Sequence, residues 1–103
     1  MKAQKKRISL KHVLKKELKD AEFSFYFERE RAISDLARLV RGARLRDGLT
    51  QSALARKAKT SQGVIARLES GTDRRMPSLD LLERISRAFK ARLMIGFEYK
   101  KAA

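Results

Sequence analysis

Apolar positions recur at three- and four-residue steps through most of this chain. Leu10, Val13, Leu14 and Leu18 form a first such stripe within Ile8 to Leu18. That spacing predicts a short amphipathic helix with a lysine-coated outer face. Asp20 has the chemistry of an N-cap for a second helix, with Glu22 in its first turn. Phe23, Tyr26, Phe27, Ile33, Leu36, Ala37, Val40 and Ala43 continue the stripe. The charged run Glu28-Arg29-Glu30-Arg31 reads either as an exposed face or as a joint, so Ala21 to Arg46 is open between one helix and two. Asp47-Gly48 is a natural stop. Thr50 is the expected cap of a helix through about Ala58. Ser61 caps the next, through Ser70, and Gly71 ends it. A polar, basic loop, Thr72 to Pro77, follows. Ser78 caps a last helix, with Asp80 in its first turn and Leu79, Leu82, Ile85 and Phe89 on the buried stripe.

The period then changes to two. Leu93, Ile95, Phe97 and Tyr99 alternate with Arg92, Met94, Gly96, Glu98 and Lys100, which predicts a β-strand. A lone strand leaves its backbone groups unsatisfied and needs a partner. Two partners are open: Arg7 to Leu10 of the same chain, or the same strand of a second copy in a homodimer. The latter makes Leu93, Ile95, Phe97 and Tyr99 dimerisation residues. The expected organisation is a basic N-terminal extension over 1–31 whose opening residues 1–6 are mobile, a helical domain over 32–90, and a strand and tail over 91–103. The fold class is mainly α, a bundle of about five helices plus the C-terminal strand.

Composition narrows the function. A chain of 103 residues forms one domain of modest core. Its formal net charge is +14, which favours a polyanionic partner over mere solubility. There is no cysteine, which removes disulfides, thiolate metal sites and cysteine nucleophiles and fits a reducing cytoplasm. No apolar run approaches the roughly 18 residues of a membrane span, and the basic N-terminus lacks the apolar core of a signal peptide. His12 is the single histidine and reads as a surface residue. No metal, cofactor or catalytic residue is therefore expected. Gly48, Gly63 and Gly71 form no phosphate-cradling loop.

Two helices of about two turns each, joined by a very short link, are the chemically informative stretch. Leu54, Ala58, Ile65 and Leu68 would lock them together, and Ala55 is small at their closest approach. The outer face of Ser61 to Ser70 is then free to enter a DNA major groove. Over about Ile33 to Lys90 the chain resembles the Cro/phage-repressor-like (XRE) family of helix-turn-helix regulators. The resemblance rests on Gly48-Leu49-Thr50-Gln51, Leu54-Ala55, Ile65, Leu68-Glu69-Ser70-Gly71 and Pro77-Ser78-Leu79. It departs from the family in the tight turn, where Lys59 stands in place of a common glycine. A positive φ there costs on the order of 1 kcal/mol.

The resemblance implies that Gln51 touches phosphate and braces the reading helix. It implies that Ser61, Gln62, Gly63, Val64 and Arg67 face base edges, and that Ser70 meets the DNA backbone. The chemistry agrees: glutamine pairs with adenine through two hydrogen bonds, and arginine with guanine O6 and N7. Gly63 admits the groove floor, and Val64 suits a thymine methyl. Each residue also has a plainer reading. Gln62 reads as an ordinary exposed side chain, Arg67 as a partner of Asp47 or Glu69, and Gly63 as a weak point costing about 1 kcal/mol. Glu69 is assigned to bracing helix ends. Arg41, Arg44, Arg46, Arg74 and Arg75 are candidate phosphate contacts and equally plain solvated charges.

Two additions lie outside the motif: the block around Lys19-Asp20-Ala21-Glu22-Phe23 and the terminal strand. With them the chain resembles HigA- or HipB-type antitoxins. That resemblance implies a cytoplasmic, nucleoid-associated bacterial repressor that binds a palindromic operator as a homodimer, autoregulates its operon and neutralises a cognate toxin. A stand-alone repressor stays open beside it, as does a non-specific nucleic-acid-binding protein. Phe23, Phe25, Tyr26 and Phe27 read either as a protein-binding surface or as three core residues with Phe25 alone exposed.

Overall fold

A computed structural model describes the backbone of residues 10–99 and the side chains of residues 19–99. The described chain holds four helices: α1 (Leu10–Arg46), α2 (Gln51–Lys57), α3 (Gln62–Ser70) and α4 (Leu79–Ala88). The expected mobility of residues 1–6 and the surface position of the His12 side chain lie outside the described residues. The chain divides into two compact units, residues 1–32 and residues 33–103.

α1 is continuous over 37 residues, where a short helix ending near Leu18 and a second capped by Asp20 were expected, so the described chain has four helices and not about five. Asp20 sits exposed inside α1. No proline or glycine occurs between Leu10 and Arg41, so nothing breaks the backbone ladder, and a capping side chain cannot open a helix that is already running. Within the first unit, Phe23, Phe25, Tyr26 and Phe27 are all at least half exposed. The reading that buries three of them is therefore corrected. Four aromatics within five residues cannot share one stripe, and Phe23 and Phe27, one turn apart, instead stack on each other with ring centroids 5.7 Å apart.

The second unit is built around Ile33, Ala37 and Val40 of α1, which follow one another at helical spacing and are all buried. Val40 packs with Leu54, Ala55, Ala58, Ile65 and Ile85, and Leu36, Leu49, Leu68, Leu81, Ala88 and Phe89 close around them. Leu54, Ala58 and Ile65 are wholly buried, as the motif requires. Leu79 is 62 % exposed rather than buried, because it occupies the first turn of α4, ahead of the face that carries Ile85.

The helix starts in this unit follow from sequence, whereas two of its helix ends place lysine where glycine is usual. The side-chain oxygens of Thr50, Ser61 and Ser78 accept the backbone N–H groups of Ala53, Val64 and Leu81. α1, α2 and α4 end in the same double closure. Gly48 N–H donates to Leu45 and Leu49 N–H to Arg44; Lys59 to Arg56 and Thr60 to Ala55; Lys90 to Arg87 and Ala91 to Ser86. Gly48, Lys59 and Lys90 accordingly have φ of 70°, 57° and 57°.

After Lys90 the expected strand is absent: residues 91–99 have no regular secondary structure. Ile95, Phe97 and Tyr99 are 68, 87 and 89 % exposed, and Leu93 is half-buried. A strand exists only through a ladder with a neighbour, and the described residues supply none. Leu10, proposed as part of an internal partner strand, is helical, and the rest of that segment lies outside the described residues.

Candidate nucleic-acid interface

Gln51 is the first residue of α2 and Gln62 the first of α3. The turn between the helices, with Lys59 in the left-handed conformation, brings these two N-termini together. Gln62 Nε2 donates to Gln51 Oε1 at 2.8 Å. Gln51 Nε2 donates in turn to Glu69 Oε1 at 3.2 Å. Glu69 takes both ends of a forked pair from Arg44, with Nε at 2.7 Å from Oε2 and the Nη2 nitrogen at 2.9 Å from Oε1. The remaining Arg44 terminal nitrogen donates to the Leu49 carbonyl at 2.8 Å. One unbroken chain of hydrogen bonds thus runs from the buried end of α1 to the exposed tip of α3.

The Arg44–Glu69 pair is almost dry, with side chains 11 and 3 % exposed. Burial alone would push the Glu69 carboxyl up. The hydrogen bonds from Arg44 and Gln51, with the charges of Arg44 and Arg41, outweigh it and hold the group below the usual glutamate range. The same hydrogen bond to Glu69 pushes Arg44 up. Glu69 is therefore a brace, as expected. Arg44 is not a phosphate contact: it is buried and all three guanidinium nitrogens are engaged inside the fold.

The glutamate also settles the orientation of both amides. A carboxylate only accepts hydrogen bonds, so Gln51 must turn its nitrogen to Glu69 and its oxygen to Gln62. Gln62 must then spend one N–H on Gln51. Its Oε1 and second N–H remain for a ligand.

The other expected residues fall into two groups. Ser61, Gln62 and Arg67 are exposed, and Gly63 is half-buried beside them. Arg67 pairs with neither Asp47 nor Glu69; its Nε lies 3.5 Å from Asp73 Oδ2. Val64 is half-buried and lines a cleft of about 210 Å³ together with Leu36, Leu68 and Met76. The Ser70 hydroxyl is spent locally, donating to the Arg67 carbonyl at 2.7 Å and accepting from Thr72 N–H at 3.1 Å. Arg75 wraps Asp73 with three bonds of 3.0 to 3.1 Å, one from its own backbone N–H. Those hydrogen bonds, and then the charges of Arg75 and Arg67, lower the Asp73 pKa. Arg74 is exposed, and Arg41 and Arg46 are exposed on α1.

Sequence reasoning missed two participants. One is Asp73, which gathers Arg67 and Arg75. The other is Arg84, whose terminal nitrogen donates to the Ala58 and Lys59 carbonyls at 2.6 and 2.7 Å. Arg84 thereby secures the last carbonyls of α2 and the left-handed turn. Its pairing with Asp80 one turn earlier was legible from their spacing; its reach to a turn 25 residues away was not. Among the described residues no group of three or more histidine, cysteine or acidic side chains could hold a metal ion, and no helix is long and apolar enough to cross a membrane.

Comparison with known proteins adds one match. A family model described as Helix-turn-helix matches residues 40–93, which takes in α2, α3, α4 and the last turns of α1. No curated protein and no solved structure matches the chain. The match spans just over half of the sequence and coincides with the braced helix pair, so the chain belongs to the helix-turn-helix family of DNA-binding transcriptional regulators.

Proposed function

We propose that this protein is a sequence-specific repressor that reads double-stranded DNA by laying α3 in the major groove. The observation that carries this reading is the free edge of Gln62. With one N–H held by Gln51, it presents an acceptor and a donor side by side. Adenine offers the matching pair in the major groove, an N6 donor and an N7 acceptor. The hydrogen-bond chain back to Arg44 keeps that edge in place before DNA arrives, so little side-chain freedom is lost on docking. Arg67 suits guanine O6 and N7, and Ser61, Gly63 and Val64 complete the reading face. The second N–H of Gln51, the N-terminus of α2, Arg74 and Arg75 suit phosphate, whereas the Ser70 hydroxyl is already committed to Arg67 and Thr72.

Residues 91–99 support a homodimer. Past Ala91, the stretch carrying Leu93, Ile95, Phe97 and Tyr99 has no backbone hydrogen bond among the described residues, and the same stretch of a second copy would complete it about a two-fold axis. Two reading helices would then lie roughly 34–36 Å apart and require a palindromic operator. The exposed aromatic set on α1 favours a second, protein partner, as in a toxin–antitoxin pair in which this chain is the antitoxin and represses its own operon. A stand-alone repressor shares the DNA face but has no use for the aromatic set. The identity of the neighbouring reading frame decides between them.

The test is binding to duplex DNA selected from a random pool. Affinity should fall steeply with added salt as lysines and arginines displace counterions from phosphate. Gln62→Ala should cost about 1–3 kcal/mol on the preferred sequence and little on random DNA. Equal losses on both would reject base reading by Gln62, and salt-insensitive binding would reject the DNA function itself.

A further inference from the structure

The geometry points to Asp73 as a specificity-determining residue that aims Arg67 at its base pair. The inference rests on the proposal that Arg67 reads DNA and adds a residue that lies outside the α2–α3 helix pair. Asp73 lies in the loop after α3, outside the motif, and its side chain is 21 % exposed. It meets Arg67 through Nε, at 3.5 Å. A guanidinium has two usable edges. Nε is the nitrogen nearest Asp73, at ion-pair distance, and the two terminal nitrogens are not held by the carboxylate. Among the described residues they have no hydrogen-bond partner. Those two nitrogens form the edge that fits guanine O6 and N7 side by side.

Gly63 fixes the other side of the same guanidinium. A Cβ built on Gly63 would lie 3.7 Å from one terminal nitrogen of Arg67. The arginine thus runs back along α3 from position 67 to position 63, over the turn that a reading helix inserts deepest into the groove. The guanidinium has a bare Cα on one side and a carboxylate on another, and its side chain is 52 % exposed.

Asp73 would act twice. On the preferred sequence it holds Arg67 in its docked pose, so the side-chain entropy is lost in folding and not in binding. On other sequences Arg67 finds no guanine, and a carboxylate near the phosphates is then a repulsion without compensation. Arg75 sharpens both effects. Its three bonds keep Asp73 ionised and oriented toward Arg67, with no help needed from DNA.

The experiment is selection from a randomised duplex pool with the intact chain, Asp73→Ala, Asp73→Asn and Arg67→Ala, followed by titrations on the selected site and its single-pair variants. Arg67→Ala should flatten the preference at one base pair per half-site. Asp73→Ala and Asp73→Asn should flatten it at that same pair by roughly tenfold and leave the Gln62 pair untouched. Both should bind random DNA more tightly than the intact chain. Adding Asp73→Ala to Arg67→Ala should change the base preference no further. If Arg67→Ala shifts the preference and neither Asp73 variant does, the aiming role is overturned while base reading by Arg67 stands. If Arg67→Ala shifts nothing, both fall. A uniform loss on every sequence, with an unchanged melting temperature, would make Asp73 a docking contact and also overturn the proposal.

Discussion

Glu69 shows how a single side chain ties stability to recognition. It closes a buried ion pair with Arg44 on one side and orients Gln51, hence Gln62, on the other. Its lowered pKa has a consequence for acid stability. In the unfolded chain a glutamate takes up its proton near about pH 4.3; in the folded chain it does so only at lower pH. The stabilisation is complete above the unfolded value and drains away as pH falls through the folded one. Melting temperature should therefore drop as pH is lowered from about 4.5. Glu69→Gln should be about 3 kcal/mol less stable at neutral pH, because it strands Arg44. It should also show a shallower decline over that acid window. Parallel declines for the two proteins would show that other carboxylates carry the acid response. At this scale the sequence was legible where the motif named a residue: Gln51, Gln62 and Glu69 stand where expected. It was illegible where partners meet only in three dimensions. Arg44 looked like any surface cation, and its partner lies 25 residues away. Asp73 looked like loop polarity.

Among the elements, local chemistry decided what could be read. Thr50, Ser61 and Ser78 cap where their types predict, and Gly48 and Gly71 stop helices by adopting positive φ. Lys59 takes the glycine-like conformation in the tight turn because its two backbone bonds and the Arg84 clamp over-determine it. What failed were elements whose limits depend on something other than nearby residues. α1 passes through a capping residue because nothing interrupts it, and the tail is not a strand because strand formation is a property of a pair. In α3, the proposed place of Gly63 on the reading face sets helix stability against DNA binding. Its φ is ordinary, and an added Cβ would meet only the Arg67 tip at 3.7 Å and the Ser61 hydroxyl at 3.9 Å. Gly63→Ala should therefore stabilise the protein by about 1 kcal/mol while weakening DNA binding, because a methyl group stands between the helix backbone and the groove floor. Thermal melting and duplex titration of the same preparation check both signs. A variant that melts higher and binds as well as the intact chain would place Gly63 away from the DNA.

For the molecule as a whole, a +14 charge accounts for attraction to DNA but supplies neither symmetry nor sequence. In the proposed homodimer the symmetry would come from a second copy, joined through residues 91–99. The intact chain should sediment as a dimer at micromolar concentration, and a chain ending at Lys90 should be monomeric and bind a palindromic site more weakly. A monomeric intact chain would reject the dimer, and a dimer that survives truncation would move its interface elsewhere. The two faces of α3 lead to a last consequence. Ile65 and Glu69 look inward and bear the packing and the ion pair, and Ser61 caps the helix, whereas Gln62 and Arg67 look outward and make one side-chain contact each, to Gln51 and Asp73. Exchanging the outward set would leave the scaffold intact, so lineages descended from this protein are free to drift to new operators one base pair at a time. Gln51 is the exception. It belongs to both faces, and a change there would alter the recognised site and loosen the domain together.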